Sequence, residues 1–105
     1  MCNCNMLHSN LNGYIAYCES CSRFQVAFDI FSINIHKEDF EKICSLVNET
    51  INCNVGAVDP DSKLFVFRFD SGSIRFHFSL SDLERLNSLL EPSRVMFQVY
   101  ELTHE

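Results

Sequence analysis

Large apolar residues occupy every second position of Phe24-Gln25-Val26-Ala27-Phe28, and again of Phe65-Val66-Phe67-Arg68-Phe69; an Asp follows each run. A second alternating run comes after each, with Phe31, Ile33 and Ile35 in one place and Ile74, Phe76 and Phe78 in the other. A period of two over such lengths predicts half-buried β-strands. With Asp29-Ile30 as the first turn, Phe28 faces Phe31, Val26 faces Ile33 and Phe24 faces Ile35. With Ser71-Gly72 as the second, Phe69 faces Ile74, Phe67 faces Phe76 and Phe65 faces Phe78. Each register sets apolar against apolar throughout, and a slip of one residue would send every Phe to the wrong face. Asp-Ile is the poorer turn chemistry of the two.

Each hairpin leads into a helical pattern. Phe40, Ile43, Cys44 and Val47 fall at i, i+3, i+4 and i+7, and Leu83, Leu86, Leu89 and Leu90 cover one side of a second helix. Ser79 with Asp82 three residues later resembles a capping box with Asp in place of Glu. The stretch 52–62, with Gly56 and Asp59-Pro60-Asp61, reads as the connector. Beyond Pro92, Val95, Phe97 and Val99 alternate with Met96, Gln98 and Tyr100, which predicts a final strand over 94–102. The expected fold is α+β, an antiparallel sheet with two helices on one face. It is a single domain over 1–105, with ββα units at 23–51 and 63–91 reading as a duplication after an N-terminal corner at 1–22.

Composition changes this picture in two ways. At 105 residues the chain is near the lower size at which one core suffices unaided, though ten Phe residues supply real apolar bulk. The net charge of -6, with only eight Lys and Arg, argues against nucleic acid as a partner. No apolar run approaches the roughly 18 residues of a membrane span, and the N-terminus lacks the basic and apolar regions of a leader, so a cytoplasmic protein with no membrane contact is expected. In that compartment clustered cysteines point to metal or redox chemistry before disulfides.

Four cysteines fall in the corner. Cys18 and Cys21 form a C-x-x-C turn, which presents two thiolates at a spacing suited to tetrahedral zinc, and Cys2 with Cys4 would complete a zinc-ribbon-like site. Because C-x-C is tighter than the usual spacing, His8 stands as a substitute for Cys2. The alternatives are a dithiol redox pair, for which no helix start lies beside the motif to activate a thiol, unligated thiols, and an iron–sulfur cluster. Cys44 sits on the apolar stripe as a core residue, and Cys53 has no assigned role.

Gly13-Tyr14, Cys18-x-x-Cys21, Val26-Ala27-Phe28 and the acidic helix start Lys37-Glu38-Asp39-Phe40 together resemble a family of small bacterial proteins. The family is known mainly from Bacteroidetes and described as a domain of unknown function. The resemblance covers about residues 10 to 50 and implies a cytosolic bacterial protein with no assigned reaction.

Nothing else in the chain resembles a catalytic set. The expected function is therefore a small zinc-stapled protein-interaction module without activity of its own; the alternative is a small thiol oxidoreductase or metal carrier working through Cys18 and Cys21. A closed four-thiolate site leaves no open position for substrate. The surface expected to bind an acidic group of a protein partner is the polar side of the second hairpin, where Arg68 lies opposite Arg75 with His77 nearby. His36 and His104 read as solvent-facing. A homodimer through the terminal strand is a further arrangement the pattern allows.

Overall fold

Both hairpin registers form as the alternation requires. The computed structural model describes residues 4–104, with the Asp70 side chain left aside. Its elements are β1 (Cys4–Asn10), β2 (Gly13–Cys18), β3 (Arg23–Phe28), β4 (Phe31–His36), α1 (Lys37–Asn54), β5 (Phe65–Phe69), β6 (Ile74–Phe78) and α2 (Leu80–Thr103). Phe28 faces Phe31, Val26 faces Ile33 and Phe24 faces Ile35, while Phe69, Phe67 and Phe65 face Ile74, Phe76 and Phe78. The Asp-Ile turn survives its poor chemistry because Asp29 adopts a positive φ of 53° and its carboxylate accepts two hydrogen bonds from Arg85, at 2.9 and 3.1 Å. Asn12 O also accepts from the Asp29 N–H at 3.0 Å.

The strands make two antiparallel sheets, not one: β1-β2-β3-β4 in order, and the separate β5-β6 hairpin. Side chains join them where backbone hydrogen bonds do not. Phe31 stacks on Phe76 at 4.0 Å, and Phe28 meets Phe78 edge-on at 6.2 Å. The apolar face of β3 and β4 also receives the helices, with Phe24 stacked on Phe40 at 4.0 Å. Phe40, Cys44 and Val47 of α1 are buried there, as are Leu83, Leu86, Leu89 and Leu90 of α2. The capping box is present in full: the Asp82 N–H donates to Ser79 Oγ at 3.0 Å, and the Ser79 N–H donates to Asp82 Oδ2 at 2.9 Å.

The strand expected over 94–102 does not form. Instead α2 runs for 24 residues straight through Pro92. A proline inside a helix costs about 3 kcal/mol through its missing N–H and its clash with the preceding turn. Here burial overrides it. Leu86, Leu90, Ser93 and Phe97 are all buried, at i, i+4, i+7 and i+11, which is helical spacing. Val95 and Val99, which a strand would have placed beside Phe97, are about half exposed.

Candidate functional site

The thiol corner is built by strand pairing. β1 enters at Cys4, turns at Leu11-Asn12 and returns as β2, so that Cys4 lies directly opposite Cys18. The same row continues across the sheet: Cys18 faces Arg23, and Arg23 faces His36. Gly13 makes the return possible. A Cβ built there would sit 1.9 Å from the Ala27 carbonyl oxygen, and its φ of 150° suits glycine.

Cys18 is buried and Cys4 exposed. Burial works against a Cys18 thiolate, but hydrogen bonds from Ser20, from the backbone N–H of Cys21 and from the Cys4 thiol outweigh it, and the Cys18 pKa falls below the ordinary thiol value. Ser20 Oγ is 3.6 Å from Cys18 Sγ. Cys4 moves the other way: burial, then the hydrogen bond and charge of Cys18, raise its pKa. Of the pair, Cys18 is therefore the more readily ionised and Cys4 the hydrogen-bond donor to it. The turn carrying Ser20 and Cys21 closes through Ser22 at a positive φ of 54°. A sulfur held by the N–H groups of its own C-x-x-C turn suits a thiolate, bound to metal or free.

The structure brings together part of the expected ligand set. Cys4 and Cys18 adjoin, and Cys21 follows in the same turn but is disulfide-bonded. Cys2 lies outside the described residues. His8 does not join them: beyond an irregularity between Met6 and His8 it pairs with Ile15, three residues along β2 from Cys18, which is about 10 Å at the rise of a strand. Among the described residues, no group of three or more His, Cys, Asp or Glu side chains is placed to hold a metal ion. Cys44 is a core thiol, pushed up to about 12 mainly by burial, and Cys53 is exposed and free.

The second candidate surface is where the sequence put it. Arg68 faces Arg75 across the hairpin, and His77 is on the same strand as Arg75, facing Val66. All three are exposed. The equivalent pair of the first hairpin is Ala27 opposite Ser32. His36 and His104 are exposed as expected, His104 stacking on Tyr100 at 4.0 Å. No helix among the described residues is long and apolar enough to cross a membrane. Sequence reasoning missed Ser20 as a partner of Cys18, although a hydroxyl inside a C-x-x-C turn is a readable signal.

No family model, curated protein or solved structure matches the chain.

Proposed function

We propose that this chain is a small protein-interaction module without catalytic activity, whose first sheet edge is stapled by a zinc-ribbon-like thiolate site. Cys4, Cys18 and Cys21 would hold the ion, with Cys2 as fourth ligand, once the cysteines are reduced. The observation that carries this is the Cys18 sulfur, opposite Cys4 and hydrogen-bonded by Ser20 and the Cys21 N–H. Zinc there would supply folding free energy, since the site does not exist in the unfolded chain. It would tie the start of β1 to the turn between β2 and β3. The two successive β-β-α passages are read as copies of one unit, on the strength of their matching apolar registers. The resemblance to the Bacteroidetes family is kept as part of this proposal; a bacterial cytoplasm would keep the thiols reduced.

Metal analysis of protein purified under reduction tests it. About one zinc per chain is expected, with Cys18→Ser lowering both metal content and melting temperature and Cys44→Ala lowering metal content not at all. Metal-free reduced protein, in which Cys4, Cys18 and Cys21 react with a thiol reagent as fast as exposed Cys53, would sink it. One observation favours a second reading: Cys18 is a free thiol of lowered pKa in the same C-x-x-C turn as a disulfide-bonded Cys21, and a thiol close to a disulfide is where thiol–disulfide exchange begins. Metal-free protein that reduces a disulfide substrate while its own Cys18 and Cys21 are oxidised would select that reading.

A further inference from the structure

The two edges of the four-stranded sheet are finished differently. β1 carries a register irregularity between Met6 and His8, the kind of bulge that blunts an edge. β4 carries none: its six residues pair regularly with β3, and among the described residues no strand pairs with its other side. It has no proline or lysine of its own. A cleft of about 630 Å³ runs along that side, between α1 and the tip of the second hairpin. Four consecutive β4 residues, Ile33 to His36, line it. Successive strand side chains point to opposite faces, so an unbroken run of four can line one cleft only if the strand's edge is its wall. The unpaired N–H and C=O groups of that edge therefore border the space.

The remaining lining names the occupant. Ile33, Ile35, Ile43, Leu46, Phe69 and Ile74 give the cleft an apolar interior, and Leu46 and Ile74 are exposed at 47% and 43%. Lys42 and Arg68 stand at its rim against one carboxylate, Asp39. The chain has 14 acids and eight Lys and Arg. Lys37, Lys63, Arg85 and Arg94 are paired with carboxylates. Lys42 and Arg68 have no ion pair among the described residues, and Arg75 opposite Arg68 adds a further positive charge. A positive rim on an acidic protein favours an acidic guest. It disfavours a second copy of this chain, whose own β4 edge would bring a matching Lys42 and Arg68.

We propose that this cleft receives an extended acidic segment of a partner protein, which adds to β4 as a fifth strand. Its apolar side chains would enter the interior and its carboxylates would meet Lys42 and Arg68. The assignment rests on the interaction-module reading above and gives that module its surface and the chemistry of its partner.

The test uses a fluorescently labelled hexapeptide alternating valine and glutamate, titrated into the full chain, with an alternating valine–lysine peptide beside it. The glutamate peptide is expected to bind, with backbone amide shifts concentrated at 33–36, Lys42 and Arg68. N-methylation of the alternate amides that face β4 should abolish binding, whereas N-methylation of the other set should not. The double variant Lys42→Glu, Arg68→Glu, confirmed folded by an unchanged melting temperature, should weaken binding about tenfold or more and favour the lysine peptide. Equal or tighter binding of the lysine peptide by the wild type, indifference to charge reversal, or no binding up to millimolar concentration overturns the assignment. Shifts confined to another surface overturn the cleft while leaving an interaction module standing. Metal content measured on the same sample keeps a failure of the zinc corner separate from a failure of the cleft.

Discussion

Replacing Asp82 by Ala tests how the second helix is held. Its carboxylate closes the capping box by accepting from the Ser79 N–H, pairs with Lys63, and accepts from Arg85 at 2.7 Å. Losing it strands a buried N–H, worth about 1–3 kcal/mol. The ion pairs add less, because the Lys63 and Arg85 side chains are 59% and 38% exposed; after screening, about 0.5 kcal/mol each is reasonable. The total is roughly 2–4 kcal/mol, against a stability of about 5–15 kcal/mol for a domain of this size. That corresponds to a fall in melting temperature of roughly 10–25 °C. Asp82→Asn, which keeps an acceptor for Ser79 but loses the charge, should cost about half as much. Burial opposes ionisation of Asp82, yet the bonds from Lys63, Ser79 and Arg85 hold its pKa far below the carboxylate range. Because the folded pKa is depressed, its contribution is complete above the unfolded value of about 3.9 and is lost as pH falls through the folded value. Asp29, lowered chiefly by the Arg85 hydrogen bond, acts in the same direction. Urea unfolding of wild type and both variants from pH 7 to pH 2 measures this. A cost of under about 0.5 kcal/mol for Ala at pH 7, or a gap between wild type and Asn that does not narrow in acid, would refute the reasoning.

Two further substitutions probe the frame of the site. Gly13→Ala drives a methyl group onto the Ala27 carbonyl, so β2 must part from β3; a loss above the roughly 1–3 kcal/mol of ordinary backbone strain is expected, and thermal melting equal to wild type would disprove the close approach. Ser93→Ala removes a fully buried hydroxyl that has no hydrogen-bond partner and should stabilise the chain by about 1 kcal/mol, with a lowered urea midpoint as the contrary result.

The hairpins were legible because each pairs large apolar residues in a single register, and Ser79 with Asp82 announced the start of α2. Two features were not. Alternation at Val95, Phe97 and Val99 suggests a strand only if Pro92 ends the helix; Leu90, Ser93 and Phe97 carry the helical spacing, but a buried serine does not advertise itself. The separation of the second hairpin from the first sheet is a matter of tertiary packing: Phe31 and Phe76 stack face to face, and no local pattern says whether two aromatic strands will pair edges or stack. At the corner, C-x-x-C was readable and the pairing of Cys4 with Cys18 was compatible with its return turn. The irregularity between Met6 and His8 was not, since no residue there marks a bulge.

Local conflict is informative where everything around it is consistent. Among the residues paired across the described strands, Arg68 and Arg75 are the one pair of permanent like charges, and directly opposed like charges destabilise a hairpin. The first hairpin shows that the fold does not require them: the corresponding place, next to the pair that closes the turn, is filled by neutral Ala27 and Ser32. No acid among the described residues neutralises either arginine, although the chain has acids in excess. Sequences that otherwise agree with their fold tend to break such rules at functional sites. This conflict lies at the hairpin tip bordering the regular, unpaired β4 edge of the four-stranded sheet, so the unfavourable charge and the unused hydrogen-bonding edge would be relieved together by the acidic, extended guest proposed above.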